Sequence, residues 1–199
     1  MFSRRRRGSG LLLNRAVWLG VWLAGSVGLA SASGGAFGLS AEEAHALKTG
    51  ADGDRILLLD VRDPVEIMFT GGIDLADFII PFRLVDTTSW SEGSGTFPMP
   101  LNPAFVSLVK EALARRGLDH DTMIITICRS GSARGEPSAR ALRDHGFSNS
   151  YFVEFGFEGD PATEGPQRGL RVVNGWKNSG LPWTSRMSRD KLLLSAGDE

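Results

Sequence analysis

Thr122-Met123-Ile124-Ile125-Thr126-Ile127-Cys128-Arg129-Ser130-Gly131-Ser132-Ala133-Arg134 is the stretch on which the reading of this chain turns. Its first six residues make a nearly unbroken apolar, β-branched run, the pattern of a strand buried on both faces in a parallel sheet. The run ends at the single cysteine of the 199 residues. A glycine turn carrying two arginines follows, then a helix that tolerates Pro137 in its first turn and ends near His145-Gly146. A cysteine between a strand and a helix N-terminus lies among N–H groups, those of Ser130 to Arg134, that can turn toward one point. Gly131 lets the backbone curl there, while Arg129 and Arg134 add full positive charges. These surroundings favour a thiolate and an anion beside it. A buried structural cysteine is the plain alternative, but two arginines and a glycine turn serve no core. Cys128 is therefore expected to be a nucleophile, with Arg129, Ser130, Gly131, Ser132, Ala133 and Arg134 binding the substrate.

Outward from this loop, strands and helices alternate. Ser40 with Glu43 three residues on forms a capping box for a helix that stops near Thr49-Gly50. Arg55 to Arg62 is a second buried run, bounded by Asp52-Gly53 and Asp63-Pro64. Phe78-Ile79-Ile80 is a short apolar run closed by Pro81, and Ser150 to Phe155 a further strand. Ala104 to Arg116 has helical periodicity and ends at Gly117. Arg83 to Pro103 and Gly156 to Gly169 read as loops, and Asn174 to Trp183 as a short turn-and-helix closure. The alternation predicts an α/β fold, a doubly wound parallel sheet flanked by helices, with ligands outside the carboxyl ends of the strands. Cys128 stands at one such end.

The two ends of the chain read differently. Arg4–Arg7 and Arg15 precede the uncharged apolar run 16–29, and Ala30-Ser31-Ala32 then suits signal peptidase. The expected organisation is a signal peptide over 1–32, a linker over 33–38, one domain over 39–184 and a flexible tail over 185–199. The protein is thus expected to be periplasmic or otherwise exported, or membrane-anchored if the leader stays uncleaved. Without the five leader arginines, 17 of the 22 basic side chains face 23 acidic ones, a poor basis for binding nucleic acid. A lone cysteine excludes an internal disulfide.

Four segments, in order, resemble the rhodanese-like domain family. They are Leu58-Leu59-Asp60-Val61-Arg62 with Glu66 following, the strand and loop Ile125 to Gly131, the helix Ala139-Arg140-Ala141-Leu142 with Gly146-Phe147, and the closing Asn174-Gly175-Trp176-Lys177 with Gly180-Leu181-Pro182-Trp183. The resemblance implies a sulfurtransferase, in which Cys128 takes a sulfane sulfur from thiosulfate or a similar donor as a persulfide and passes it to a thiophilic acceptor. It implies no metal or organic cofactor, a small anionic sulfur donor as partner, and a thiol or protein as acceptor. Asp60 and Arg62 are expected to be structural support, an ion pair that positions loops.

Two departures stand out. Gly71-Gly72-Ile73 replaces the family's usual Gly-His-Ile, which implies altered local packing. The arginine common five residues after the cysteine is Ala133 here, and Arg134 comes one later. A Cys-x5-Arg loop is associated with rhodanese-fold phosphatases and arsenate reductases. The extra residue lies either in the loop or in the first helical turn around Gly135-Glu136-Pro137. A non-catalytic sulfur carrier or redox module is the third reading. Phe152, Phe155 and Phe157 are candidates to wall a pocket, Trp176 and Trp183 to seal the core, and Trp90 to touch a partner. His45, His120 and His145 fall away from the expected site.

Overall fold

The two long apolar runs lie side by side at the centre of a five-stranded sheet. They are β2 (Ile56–Asp60) and β4 (Met123–Ile127), parallel and in register from Ile56 opposite Met123 to Asp60 opposite Ile127. On one side β5 (Ser150–Val153) pairs with β4, and the edge strand β1 (Gly38–Leu39) pairs with β5. On the other side β3 (Phe78–Ile79) pairs with β2, giving the all-parallel order β1-β5-β4-β2-β3. This is a computed structural model, and it describes residues 37–194. The expected signal peptide, residues 33–36 of the expected linker and residues 195–199 lie outside the described residues. Among the described residues no helix is long and apolar enough to cross a membrane.

Alternation along the central strands divides the core into two layers. Leu57, Leu59, Ile124 and Cys128 face α3 (Phe105–Arg115) and α4 (Gly135–Asp144), packing with Leu108, Val109, Ala112 and Leu142. Ile56, Leu58, Ile125 and Ile127 face the opposite way, against Ala41 and Ala44 of α1 (Ala41–Thr49), Phe157 and Trp176. Burial on both faces explains why these strands read as continuous apolar runs, each full Leu or Ile burial contributing roughly 1.5–3 kcal/mol. From β2 the chain moves outward to β3, whereas from β4 it moves the other way to β5. The strand order therefore reverses between the carboxyl ends of β2 and β4, where such sheets open a crevice.

The capping box on α1 forms as the sequence implies, with Ser40 Oγ accepting from the Glu43 N–H and Glu43 accepting from the Ser40 N–H. A second box starts α2 (Pro64–Thr70), with Asp63 as cap, Pro64 in the first position and Glu66 reaching back to the Asp63 N–H. In the sequence Asp63-Pro64 marks only the end of a strand, and no helix is expected where α2 forms.

Four boundaries differ from expectation. Phe37 and Gly38, read as linker, start the sheet: the Phe37 carbonyl accepts from the Phe152 N–H, and the Phe37 ring meets Phe152 edge-on. The segment after Ser185, read as tail, docks on the far edge: the Leu193 N–H donates to the Ile79 carbonyl and Leu193 is buried. An apolar Leu192-Leu193 pair next to an unpaired strand edge explains both contacts. Asn174 to Trp183 closes the domain by turns alone, with Trp176 buried and its indole N–H donating to the Pro182 carbonyl at 2.8 Å. Residues 83–101 fold back on themselves as a ladder of paired backbone groups, presenting Trp90 edge-on to Phe97 at its tip.

Candidate active site

Cys128 directly follows β4, at the crevice where the strand order reverses, and its side chain is fully buried on the α3–α4 face. Seven residues, Cys128 to Arg134, separate Ile127 of β4 from Gly135 of α4. The extra residue therefore lies in the loop and not in the helix. A wide turn takes it up: the Glu136 N–H reaches back to the Gly131 carbonyl (2.9 Å) before the first ordinary helical bond, Ser138 N–H to the Arg134 carbonyl (2.8 Å). Pro137 is the third helical residue, where an N–H has no intrahelical partner to lose. A Cβ placed on Gly135 would lie 3.5 Å from Cys128 Sγ, so the sulfur packs against the first turn of α4. Among the described residues the N–H groups of 130–134 meet no acceptor. The sulfur thus packs at a helix N-terminus, in a loop whose amides have no acceptor within the protein, a setting that binds anions in other proteins.

The far side of the loop is clamped by the chain after β5. The Phe157 N–H donates to the Cys128 carbonyl (2.7 Å) and the Glu158 N–H to the Arg129 carbonyl (2.9 Å). Gly156 makes this approach possible: its φ is 60°, and a Cβ there would stand 2.3 Å from the Cys128 oxygen. Gly131, at φ 83°, has the same role toward the Phe155 N, which a Cβ would meet at 2.7 Å. Phe155 itself has φ 57°, a left-handed conformation that costs a bulky residue about 1–3 kcal/mol. Strain of this kind persists only where surrounding contacts impose it, and here it lies against the cysteine loop.

Both arginines of the loop are paired with carboxylates. Arg134 is buried and grips Glu66 of α2 with both terminal nitrogens, Nη2 to Oε1 at 2.8 Å. Arg129 is half exposed, and its Nε donates to Glu158 Oε2 at 2.6 Å. Burial works against the Glu66 carboxylate, yet the Arg134 hydrogen bonds and charge, helped by the Asp63 amide and Arg62, hold it below the usual glutamate range. Burial likewise opposes the Arg134 charge, and Glu66, then Cys128 and Asp60, more than offset it. Glu154 differs: burial and the nearby Glu43 charge push its carboxyl up.

Asp60 and Arg62 form a fully buried pair at the end of β2, Nη2 to Oδ2 at 2.5 Å. Arg62 also donates to Thr70 and stacks its guanidinium 4.4 Å above the Phe157 ring. The pair thus ties β2, α2 and the clamp together, and among the described residues neither partner bonds to the cysteine loop. Gly72, at the family's histidine position, faces this pair: a Cβ there would lie 3.7 Å from Arg62 Nη2. Thr184, Arg186, Met187 and Lys191 close around the vacated volume, leaving a cavity of about 20 Å³ beside Asp60, room for one water.

Of the three phenylalanines, Phe152 and Phe157 are core, and only Phe155 is exposed beside the loop. Trp176 seals the core as expected, whereas Trp183 is 44% exposed, with Lys177 over its ring at 4.2 Å. His45 packs on Trp176, His120 stacks on Phe147, and His145 Nδ1 meets the Ala141 carbonyl. The sequence assigns Glu66 no role at the site, and Glu158 falls within the stretch 156–169 that reads as loop. The Asp63-Pro64-Val65-Glu66 capping box was the signal available for the first, and nothing local marks the second.

A lone cysteine in an amide-lined loop, at the switch point of a parallel α/β sheet, is the class that fold and site define. The rhodanese-like domain family model matches residues 40–160, and the chain belongs to that family. No curated protein matches the chain. Among solved structures it is similar to Rv0390 of M. tuberculosis, at 25% identity and a TM-score of 0.54 over 75% of this chain and 97% of that one. It is also similar to a Rhodopseudomonas palustris CGA009 protein of unknown function described as a possible tyrosine phosphatase (21% identity, 74% and 83% covered, TM-score 0.45). A third is the polysulfide-sulfur transferase homodimer of Wolinella succinogenes (24% identity, 74% and 77% covered, TM-score 0.43).

Proposed function

We propose that this protein is a sulfurtransferase working through a persulfide on Cys128. The thiolate attacks the outer sulfur of thiosulfate or a similar donor. The donor's S–S bond breaks with its electron pair leaving on the inner group, sulfite in the case of thiosulfate. The persulfide on Cys128 is then attacked at its outer sulfur by cyanide or another thiol, which regenerates the thiolate. The observation that carries this reading is the sulfur packed against the first turn of α4, in a loop whose amides have no acceptor. Those N–H groups supply fixed partial charge where the terminal sulfur becomes anionic, with no reorganisation at the moment of transfer. Membership of the rhodanese-like family supports the same chemistry. We place the mature protein outside the cytoplasm, on the strength of the basic and apolar leader alone.

The seven-residue loop favours a second reading, a phosphatase or arsenate reductase of the Cys-x5-Arg kind. Against it, the arginine that closes the motif has both terminal nitrogens on Glu66. Thiosulfate with cyanide, and separately an aryl phosphate, given to wild type and Cys128→Ser, separate the readings. Thiocyanate formed by wild type and abolished in Cys128→Ser is the expected result. Phosphate release without thiocyanate would overturn it. A sulfur added to Cys128 with no turnover would mark a carrier.

A further inference from the structure

Phe155 is the one non-glycine residue with a positive φ among the described residues; the eleven others there are glycines. The backbone reason for the conformation is plain. Phe155 and Gly156, at φ 57° and 60°, turn the chain after β5 so that the Phe157 and Glu158 N–H groups meet the Cys128 and Arg129 carbonyls. A glycine at 155 would make that turn without strain, so the fold does not account for the side chain. Packing does not account for it either: Phe155 belongs to neither core layer and is 44% exposed. It stands two residues past the carboxyl end of β5, on the edge of the sheet where ligands bind. Its backbone N lies against Gly131, the midpoint of the seven-residue loop. A bulky residue held in a costly conformation at such a place points to a role in binding.

We propose that Phe155 is a specificity-determining residue for the sulfur acceptor, its ring holding the carbon body of an apolar thiol beside Cys128. The inference rests on the sulfur-transfer reading above and narrows its second half. The acceptor thiolate R–S⁻ attacks the outer sulfur of the Cys128 persulfide. A bond forms between those two sulfurs, the Cys128 S–S bond breaks, and its electron pair returns to the Cys128 thiolate. The acceptor leaves as R–S–SH. Cyanide performs the same displacement with no carbon body for the ring to hold. A half-exposed phenyl ring gains from covering apolar surface and not from a small hydrated anion.

The test loads Cys128 of the full chain with sulfur from thiosulfate or inorganic polysulfide. Intact mass then shows how fast benzyl thiol, 2-mercaptoethanol and cyanide remove it. Wild type, Phe155→Gly and the ring-keeping Phe155→Tyr are compared. In Phe155→Gly the ratio of benzyl-thiol to cyanide unloading is expected to fall about tenfold, the worth of one aromatic contact. The ratio of 2-mercaptoethanol to cyanide unloading should fall about twofold at most, since that thiol has little carbon to hold. Phe155→Tyr is expected to keep the wild-type ratios. Relief of strain should also move the Phe155→Gly urea midpoint upward, so selectivity is lost while stability is gained. A merely structural side chain predicts the reverse, lower stability with all three acceptors slowed alike. That result would overturn the inference and leave sulfur transfer standing, as would unmoved ratios on a loaded Cys128. No sulfur on Cys128 from either donor would overturn the sulfur-transfer reading and this inference with it.

Discussion

The two ends of the Cys128 loop are fixed by different means. At the Arg134 end a buried guanidinium reaches Glu66, 68 residues earlier in the chain, and the α2 capping box includes the same carboxylate. At the Arg129 end the side chain is 47% exposed, and backbone bonds from Phe157 and Glu158 do the holding. A buried ion pair is stable only while both partners are present, because either one alone is left uncompensated in low dielectric. An exposed pair is screened and contributes little. The comparison teaches that like charges in one loop have unlike duties: Arg134 fixes shape from a buried position, and Arg129 is paired with Glu158 where solvent screens both.

The largest effect is expected from breaking the buried end. Glu66→Ala strands the Arg134 charge and removes half of the α2 capping box, so urea unfolding should show a loss of about 3 kcal/mol. Glu66→Gln, which keeps hydrogen-bonding atoms, should lose less. Equal losses in the two variants would mean that charge is not what holds this end. Next comes the backbone clamp. Gly156→Ala forces a Cβ to 2.3 Å from the Cys128 carbonyl at φ 60°, and should cost about 2 kcal/mol along with most sulfur loading. Wild-type loading in that variant would show that the clamp does not set the loop.

Acid sharpens the same contrast. The Glu66 carboxyl titrates below its ordinary 4.5 in the folded protein, so the unfolded chain binds the proton first. Its contribution is present above pH 4.5 and is lost as pH falls through the lowered folded value. Glu154, raised by burial and Glu43, has the opposite sign: its contribution is present below 4.5 and is lost as pH rises through the raised value. Stability measured from pH 6 downward should therefore decline less steeply in Glu66→Gln than in wild type, and more steeply in Glu154→Gln.

What the sequence revealed follows the same division between local and distant contacts. The strand, the loop and the helix around Cys128 are contiguous, so apolar runs, a glycine and a proline position marked them directly. The α1 capping box was legible for the same reason. Glu66 and Glu158 meet their arginines across 68 and 29 residues, and nothing in spacing or periodicity encodes such a meeting. Loop length was also beyond the sequence, because Gly135-Glu136-Pro137 suits either a loop or a first helical turn. The wide turn from Gly131 to Glu136 decides it, through a hydrogen bond between residues five apart. Leu192-Leu193 read as tail because its partner, the β3 edge, lies over a hundred residues earlier.

The smallest effect on stability is expected at the exposed end. Arg129→Ala removes one partner of a pair in which the guanidinium is screened and the carboxylate still reaches water, so the change should stay within about 0.5–1 kcal/mol in urea unfolding. The backbone bonds that hold this end survive the substitution, since they run from Phe157 and Glu158 N–H groups to carbonyls. A loss above about 2 kcal/mol would mean that Arg129 is locked as Arg134 is, and the division of labour between the two arginines would fall. Arg134→Ala is expected to lower stability and sulfur loading together, whereas Arg129→Ala is expected to leave the fold intact.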